Sequence, residues 1–502
     1  MRRLLALTSA LLAVIIVPAA PTAAAGTASA IPPPPGDIAG VELVANIPEA
    51  VEATAINFLV YGRGARARHV MIANGRFGLK TYDVTDPAQP VLLDELTNDE
   101  LMLPSDVDGT FWQNEDMDVD PQRKLVFMSR DPRAYNGASS DPDAVSGVYI
   151  VDAADPANLA LITFHAVPTG HTSTCVNHCR YLWTGGPASN TDQLPEFPLG
   201  RPVFVTDIRD PWNPVTFPDP VDLGRVDGVT GYSHDVQVDA AGVAWVSGLG
   251  GVRGYWTDGW RRDPLLGEWR RATPWNPVPY AGGGIGEAAA PTGFMHNSIR
   301  PVGRTLDDGP VPGRGNLPGR LLLATEEAFD SPTCDGVGQF VISSLDRSFN
   351  GQGWRSTPED PFRLRTIGTW SVHDKEGTIP DEFCSAHYFD MQRRVVAYSW
   401  YIQGTRFLDI SDPANPIQIA YYRPDGGVAW APYFHGDHVF VADHVRGVDI
   451  LRLTPEAAQN QAAGNEIAAP PLSARAQTLV AQAASRFSPD PDLGWSCVLP
   501  RT

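Results

Sequence analysis

The sequence predicts an all-β fold, a β-propeller of seven four-stranded blades, with six or eight blades as the alternatives. Three observations lead to this prediction. A strand–turn–strand segment recurs along the chain, and the 502 residues include 47 Gly and 46 Pro, which favours many short elements joined by turns. The last repeat also lacks a strand that the beginning of the chain can supply. Internal repeats of this length are typical of propellers and solenoids.

The clearest copy of the repeat reads GTRFLDISDPANPIQIAYYRP at residues 404–424. A β-branched and aromatic run ends at Asp412 and Pro413, Pro416 fixes the direction of the returning chain, and an apolar strand pattern resumes at Ile417. Related segments occupy 78–91, 147–160 and 201–215. We expect the aspartates before proline to form turns by accepting backbone hydrogen bonds, rather than to act as acids or calcium ligands.

The apolar triplet followed by Asp and then D-P-x-x-P resembles the LVIVD-repeat family of secreted β-propeller proteins. The copies here are VYIVDAADP, RFLDISDP, LKTYDVTDP and VFVTDIRDP. The resemblance implies a propeller and export from the cell. It implies no particular activity, because one fold hosts many functions.

The blades are counted from the repeat aspartate or the residue that replaces it: Asp83, Asp152, Asp207, Tyr255, Ile342, Asp409 and Asp449. Each blade then runs from an inner strand through a second strand and the repeat strand to an outer strand. Residues 41–47 (VELVANI) resemble an outer strand without a preceding repeat, and the repeat at 447–456 lacks an outer strand. The amino-terminal strand is therefore expected to complete the last blade and close a propeller over 41–454, leaving no exposed edge.

The segments that flank the propeller carry other signals. Residues 1–30 have a basic start, an apolar stretch and a small-residue cleavage site, which together predict a secretory signal peptide; twin-arginine export is the alternative. Residues 31–40 read as a Pro-rich linker, and 455–502 as an Ala- and Gln-rich tail that is partly disordered with a helix at 473–486. Later segments lack the roughly 18 apolar residues needed to span a bilayer. We expect a secreted, extracellular chain.

The net charge limits the class of partner. A net charge of -20 argues against nucleic acid, since no basic stripe could neutralise phosphates. We expect a monomer whose partner is an extracellular ligand or protein.

Five cysteines in an exported chain predict two disulfides, Cys175–Cys179 and Cys334–Cys384, with Cys497 left over. A zinc site made of the first pair with His171 and His178 is the alternative.

Alignment of the predicted inner strands gives the candidate site. His234 and His387 each precede the second strand by nine residues, His171 and Glu115 by ten, and His296 takes the same position in its blade. Tyr61 and Trp430 are expected there in the other two blades. Inner strands line the central channel, so Glu115, His171, His234, His296 and His387 are expected to converge at one mouth as metal ligands, with Glu326 joining them from the end of a second strand. The second strands end at the same mouth and add further ligand-binding candidates: Arg130, Glu327, Trp400 and His444.

Imidazole with carboxylate suits one divalent transition metal, Zn, Cu, Fe, Mn or Ni. The alternative is a wet channel lined by structural polar groups. Three functions remain open: an exported scaffold that binds a ligand or partner at the channel mouth, a metal-dependent oxidoreductase or hydrolase, and a cell-envelope adhesion or structural module. The last would act through the Trp-rich insertion 256–291, whose tryptophans we expect to pack onto the propeller. The sequence leaves open whether the protein is an enzyme.

Overall fold

The computed structural model describes residues 36–107, 109, 111, 114–136, 144–186, 203–221, 233–248, 251–264, 266–285, 294–301, 321–328, 334–345, 363–377, 385–484, 487–488 and 499–500. These residues form seven four-stranded antiparallel blades, which confirms the predicted seven-bladed propeller. The predicted signal peptide lies outside the described residues.

In chain order, blades 1 to 3 are built from these strands: Ala53–Tyr61, Arg68–Gly75, Gly78–Asp83 and Val91–Thr97; Met117–Asp120, Leu125–Arg130, Gly147–Asp152 and Ala160–Ala166; Thr172–Val176, Tyr181–Gly185, Phe204–Asp207 and Val215–Thr216. Blades 4 and 5 are Ser233–Val238, Val243–Gly248, Gly251–Trp256 and Val278–Ile285; Met295–Ile299, Leu321–Glu326, Phe340–Ser344 and Arg363–Trp370. Blades 6 and 7 are Phe389–Gln392, Val395–Ser399, Thr405–Asp409 and Ile417–Pro424; Ala429–His435, His438–Asp443, Gly447–Leu453 and, from the chain start, Val41–Ile47.

The ring closes as the sequence predicts. Strand Val41–Ile47 pairs antiparallel with Gly447–Leu453 as the outer strand of blade 7. The neighbouring Gly36–Ala39, in the predicted linker, adds a fifth strand to blade 6 by pairing with the end of Ile417–Pro424. The amino-terminal strands are thus joined by main-chain hydrogen bonds to the repeat strand of blade 7 and to the outer strand of blade 6, which leaves neither of those two strands with an open edge.

The repeat turns behave as turn formers. Asp412 accepts a hydrogen bond from the backbone N–H of Ala414, and Asp155 from that of Ala157. The aspartate that ends the repeat strand does the same in blades 1, 2, 3 and 6, as Asp152 does with the backbone N–H of Ala154. These carboxylates mimic a backbone turn, so the recurring aspartates are explained by folding.

The core lies between neighbouring blades. Ile56 and Tyr82 of blade 1 pack in one cluster with Phe440 and Ile450 of blade 7, all of them 1% exposed or less. Burying each of these side chains stabilises the fold by roughly 1.5–3 kcal/mol. Second and repeat strands such as Leu125–Arg130 and Thr405–Asp409 are buried at every position, because neighbouring blades cover both faces of a blade. Short apolar runs bounded by turns are the sequence pattern of such strands.

The carboxyl-terminal segment packs on this ring. Helices span Pro455–Ala463 and Ala474–Ala484, and the second matches the helix predicted at 473–486. Leu472 and Ala476 belong to the core cluster shared by blades 7 and 1. Short helices and 3-10 turns occur at Asn98–Leu101, Val372–Glu376, Pro48–Ala50, Gly64–Arg66 and Ala134–Asn136, and a small strand pair joins Phe487–Ser488 to Leu499–Pro500. No helix of the described segments is long and apolar enough to cross a membrane.

The cysteines follow the prediction where they can be compared. Cys175 and Cys179 form a disulfide, which rules out the alternative zinc site because their sulfurs are bonded to each other. Cys334 is also disulfide-bonded. Cys384 and Cys497 lie outside the described residues, so the Cys334–Cys384 pairing stays a prediction.

The Trp-rich insertion matches its prediction only in part. Trp275 stacks on Phe217 at a centroid distance of 4.7 Å, and Trp256 packs against Tyr280. Trp260 and Trp269, however, are 65% and 67% exposed. They lie on the hairpin Trp260–Arg262 and Trp269–Arg271, a two-stranded sheet separate from the blades.

Candidate metal centre

Four imidazoles surround one carboxylate in the central channel. The shortest distances from each histidine Nε2 to a Glu115 carboxylate oxygen are 3.0 Å for His171, 3.6 Å for His234, 2.9 Å for His296 and 3.3 Å for His387. All five side chains are 1% exposed or less. Five successive predicted positions from blades 2 to 6 are thus brought together around one axis.

Hydroxyl groups of the adjacent blades hold the histidine backbones in place. Ser129 of blade 2 donates to the His171 carbonyl at 3.0 Å, and Thr325 of blade 5 donates to the His387 carbonyl at 2.8 Å. Gly186 completes the position of His171, since a Cβ there would lie 2.2 Å from the His171 Cβ. The positions of His171 and His387 are therefore fixed by hydrogen bonds and packing from the neighbouring strands.

The second nitrogen of three imidazoles is already engaged. His171 Nδ1 lies 2.8 Å from Asp131 Oδ2, His234 Nδ1 lies 3.0 Å from the His296 carbonyl, and His387 Nδ1 lies 2.8 Å from the Trp430 carbonyl. These acceptors require a proton on Nδ1. The Nε2 lone pair of a neutral imidazole then points into the cluster, as a metal ligand requires.

Burial and neighbouring charges shift the pKa values of the cluster residues in different directions. Burial opposes ionisation of Glu115, but His171 and His234 outweigh it and hold the pKa of Glu115 well below its usual range. Burial likewise opposes protonation of His171, yet Glu115 and Asp131 raise its pKa to about 9. Burial and the facing imidazole of His387 lower the pKa of His296 to about 3, and burial with His296 holds the pKa of His234 well below 6.5. Neutral imidazoles at His234 and His296 therefore stand beside an ionised Glu115, whereas His171 stays protonated at neutral pH and must lose that proton to bind a metal.

The two adjacent glutamates of blade 5 take different positions. Glu327 Oε2 lies 3.9 Å from His296 Nε2, and its Oε1 accepts a hydrogen bond from Tyr401 at 2.6 Å. Glu326, predicted as the ligand, instead accepts a hydrogen bond from the backbone N–H of Gln339 within its own blade. The groups of metal-ligating side chains found among the described residues contain Glu115, the four histidines and Glu327, with ligand atoms within 4.8 Å of one another.

Arg130 and Trp400 occupy the same position at the end of the second strand as Glu326 does. Their side chains likewise do not face the channel. Arg130 forms an ion pair with Asp106 and donates to Tyr149, whereas Trp400 packs in the core beside Tyr398.

The channel-facing residues lie one position later, at Asp131, Glu327, Tyr401 and His444. Successive side chains of a strand point to opposite faces, so a shift of one residue reverses the side chain. Asp131 and Tyr401 were therefore missed by the sequence prediction, although the alternation rule could have found them.

Blades 7 and 1, which contribute no histidine at this position, give one correct and one wrong prediction. Trp430 lies beside His387 at a centroid distance of 4.1 Å and contacts His444 at 4.2 Å. Tyr61 is at the far end of its strand, where its hydroxyl donates to the Ala153 carbonyl. Thr54, the second residue of that strand, occupies the predicted position and donates to the Asn114 carbonyl at 3.0 Å. The mistake arose because this inner strand is longer than the others.

Comparison with known proteins adds the fold alone. Neither the family models nor the curated proteins include a match to this chain. Solved structures that are similar include the β-propeller domain of Cps50 (Swd1) from Myceliophteria thermophila, with 10% identity, coverage of 82% of this chain and 100% of that one, and a TM-score of 0.48. The periplasmic gluconolactonase PpgL of Pseudomonas aeruginosa is 14% identical over 80% of this chain and 93% of that one, with a TM-score of 0.45. The WD40 β-propeller domain of Doa1 is 9% identical over 83% and 99%, with a TM-score of 0.43. Likeness at this level carries no argument about function.

Proposed function

We propose that this chain is an exported β-propeller that holds one divalent transition metal at the centre of its channel and uses that end of the channel to bind a ligand or partner. The observation that carries the proposal is the convergence of four Nε2 atoms on Glu115, at 2.9 to 3.6 Å. Nitrogen ligands with one carboxylate suit Zn, Cu, Fe, Mn or Ni.

The surroundings support a metal better than a hydrated polar channel. Acceptors for Nδ1 orient His171, His234 and His387 from behind, an arrangement that metal-bound histidines usually have. The cluster is also closed to solvent, so water cannot satisfy its polar atoms from the bulk. A divalent cation would satisfy several lone pairs at once and offset the cost of burying them.

Export is the second half of the proposal. The resemblance of the repeats to LVIVD-repeat propellers, the amino-terminal signal pattern and the Cys175–Cys179 disulfide all favour an oxidising compartment outside the cytosol. Stable disulfides are rare where thiols are kept reduced.

The test is elemental analysis by mass spectrometry of the mature, untagged protein after native export and purification. We expect about one transition metal per chain, lost in the His234→Ala/His387→Ala variant. The matched control is His165→Ala/His438→Ala, because those histidines lie on blades 2 and 7 and contact Thr216 and Asp437 instead. Wild-type protein without stoichiometric metal, or equal loss in both double variants, would disprove the metal site.

A metal-dependent enzyme is a second candidate, favoured by the Glu327–Tyr401 pair beside His296. A bound divalent ion would supply Lewis acidity or a redox centre. Glu327 and Tyr401 are hydrogen-bonded to each other at 2.6 Å and lie where a reacting group would need a proton donor or acceptor. A screen for oxidase and hydrolase activity with the Glu327→Gln variant separates this candidate from binding alone, because a binding module would show no turnover in either protein.

An adhesion module is the third candidate, favoured by the exposed Trp260 and Trp269. Deletion of 257–290 would abolish adhesion and leave the histidines without effect if this candidate were correct. Loss of binding through the histidine variants would instead support the channel.

A further inference from the structure

A cavity of about 280 Å³ lies in the central channel beside the histidine cluster. In all seven blades its lining residues come one to four positions after the residue that faces the cluster, such as Asp116 and Asp118 after Glu115, or Tyr388 and Asp390 after His387. At about 3.3 Å per strand residue, the cavity therefore begins immediately next to the cluster along the channel axis. Tyr388 lies between them, since its ring contacts those of His296 and His387 at 4.5 and 4.9 Å.

The charge of the lining has one sign. Asp116, Asp118 and Asp390 contribute carboxyl groups, and no Lys, Arg or His is among the described residues that line the cavity. Backbone N–H groups fix all three across blade boundaries: Ser173 N donates to Asp116 Oδ2 at 3.2 Å, Cys175 N to Asp118 Oδ2 at 2.8 Å, and Phe434 N to Asp390 Oδ2 at 2.7 Å. Each carboxylate oxygen has a second lone pair, so these groups can still accept a hydrogen bond from a ligand.

The rest of the lining is rich in aromatic rings. Phe58, Tyr388 and Tyr433 face the cavity with Phe389 and Phe434. The Tyr388 hydroxyl is buried and has no hydrogen-bond partner among the described residues, although buried hydroxyls are normally paired. Carboxylates combined with aromatic faces recognise cations, especially those with a diffuse charge.

The spacing of the acids argues against a bare metal ion. The groups of side chains within metal-chelating distance in the described chain all belong to the histidine cluster, and none contains Asp116, Asp118 or Asp390. The cavity volume equals that of about nine water molecules in the liquid, at roughly 30 Å³ each. A molecule of about this size can reach carboxylates that are too far apart to share one ion.

We propose that this cavity binds a small organic ammonium compound, with its positive charge among Asp116, Asp118 and Asp390 and its carbon atoms against the rings of Tyr388 and Tyr433. The proposal does not require a metal in the neighbouring cluster. It assigns a ligand class to the channel of the propeller.

The test is isothermal titration calorimetry of the full mature protein with choline and ethanolamine, beside 3,3-dimethylbutan-1-ol as the uncharged isostere of choline. We expect at least one of the two cations to bind about 10-fold or more tightly than the neutral alcohol, because a hydrogen-bonded or paired charge adds 1.5 kcal/mol or more. Asp390→Asn and Tyr433→Leu are expected to weaken that binding by a similar factor, whereas Tyr433→Phe, which keeps the ring, is not. Thermal melts of each variant exclude misfolding.

Asp152→Asn is the matched control, since Asp152 also accepts a backbone hydrogen bond but lies in a repeat turn outside the cavity. Equal affinity for the cations and the alcohol, or no binding by either cation at millimolar concentration, overturns the proposal. Unchanged affinity in both Asp390→Asn and Tyr433→Leu overturns it as well. Titration before and after dialysis against a chelator separates the two sites: binding that survives metal removal supports the cavity, and binding that disappears assigns the ligand to the metal instead.

Discussion

Asp131 provides the sharpest test of how the histidine cluster is held. Its carboxylate is buried; Oδ1 accepts hydrogen bonds from the backbone N–H and Nε of Arg133 at 2.9 and 2.8 Å, and Oδ2 lies 2.8 Å from His171 Nδ1. Asp131→Asn keeps the shape of this side chain. However, in either orientation the new amide NH₂ group faces Arg133 or His171, which now donate hydrogen bonds to the carboxylate.

If the amide nitrogen takes the place of Oδ2, His171 must accept at Nδ1 and carry its proton on Nε2. That tautomer cannot bind a metal through Nε2. Removing a group that orients a metal-bound histidine usually lowers metal affinity 10- to 100-fold, or about 1.4–2.7 kcal/mol. We expect a loss of that size, together with a lower free energy of unfolding because the buried Arg133 loses its counter-ion.

The assay is competition with a chromogenic chelator at pH 7, with unfolding followed separately in urea. Asp120→Asn is the control, because Asp120 is a buried carboxylate of the same blade paired with Arg123 at 2.6 Å, away from the cluster. Metal affinity that is unchanged in Asp131→Asn, or lowered equally by Asp120→Asn, would refute the orienting role of Asp131.

Three further predictions concern the scaffold. Replacing Cys175 and Cys179 with Ser should lower the free energy of unfolding by only about 2 kcal/mol, because the disulfide closes a very short loop; a loss of folding in urea titrations would contradict this. Burial and neighbouring histidines lower the pKa of His435 to about 4 from 6.5, so its contribution to stability is full above pH 6.5 and is lost as the pH falls towards 4; His435→Phe should flatten the measured dependence over that window, and an unchanged slope would argue against it. Trp275→Ala should destabilise the protein by about 1–3 kcal/mol through lost aromatic packing, whereas the exposed Trp260→Ala should stay within about 0.5 kcal/mol, and equal effects would contradict the packing difference.

The fold was predictable because one local rule repeats in four of the seven blades. Turn aspartates before proline follow the repeat strands of blades 1, 2, 3 and 6, and the unmatched segments at 41–47 and 447–456 predict closure by Val41–Ile47 pairing with Gly447–Leu453. The amino-terminal extension Gly36–Ala39 was not predictable. Its pairing partner is nearly 400 residues away, and four residues carry too little pattern to indicate a strand.

The channel-facing residues of the inner strands were predictable from the sequence, whereas those at the ends of the second strands were misplaced. The histidines lie at or just before the start of each inner strand, so one alignment places all of them. The second strands of blades 2, 5 and 6 were read one residue early, which selected Arg130 and Trp400 instead of Asp131 and Tyr401 and made Glu326 rather than Glu327 the metal ligand. Because strand side chains alternate, that single step separates a side chain inside the blade from one in the channel. Ion pairs such as Arg130 with Asp106 depend on loops that bring distant residues together, and no periodic pattern encodes them.

Duplication of one ancestral blade does not by itself account for the cluster. It could copy a histidine into several inner strands, but the groups behind the histidines would then be copies too. His234 Nδ1 and His387 Nδ1 do share one kind of partner, the carbonyl of the next blade's channel position. His171 Nδ1 instead meets the carboxylate of Asp131, and Glu115 replaces the imidazole in blade 2. Carboxylate and carbonyl partners thus leave each of these Nε2 atoms directed at the same carboxylate. A shared direction maintained by unlike contacts is what a common ligand at the centre requires, and a set of independently solvated channel residues does not require it.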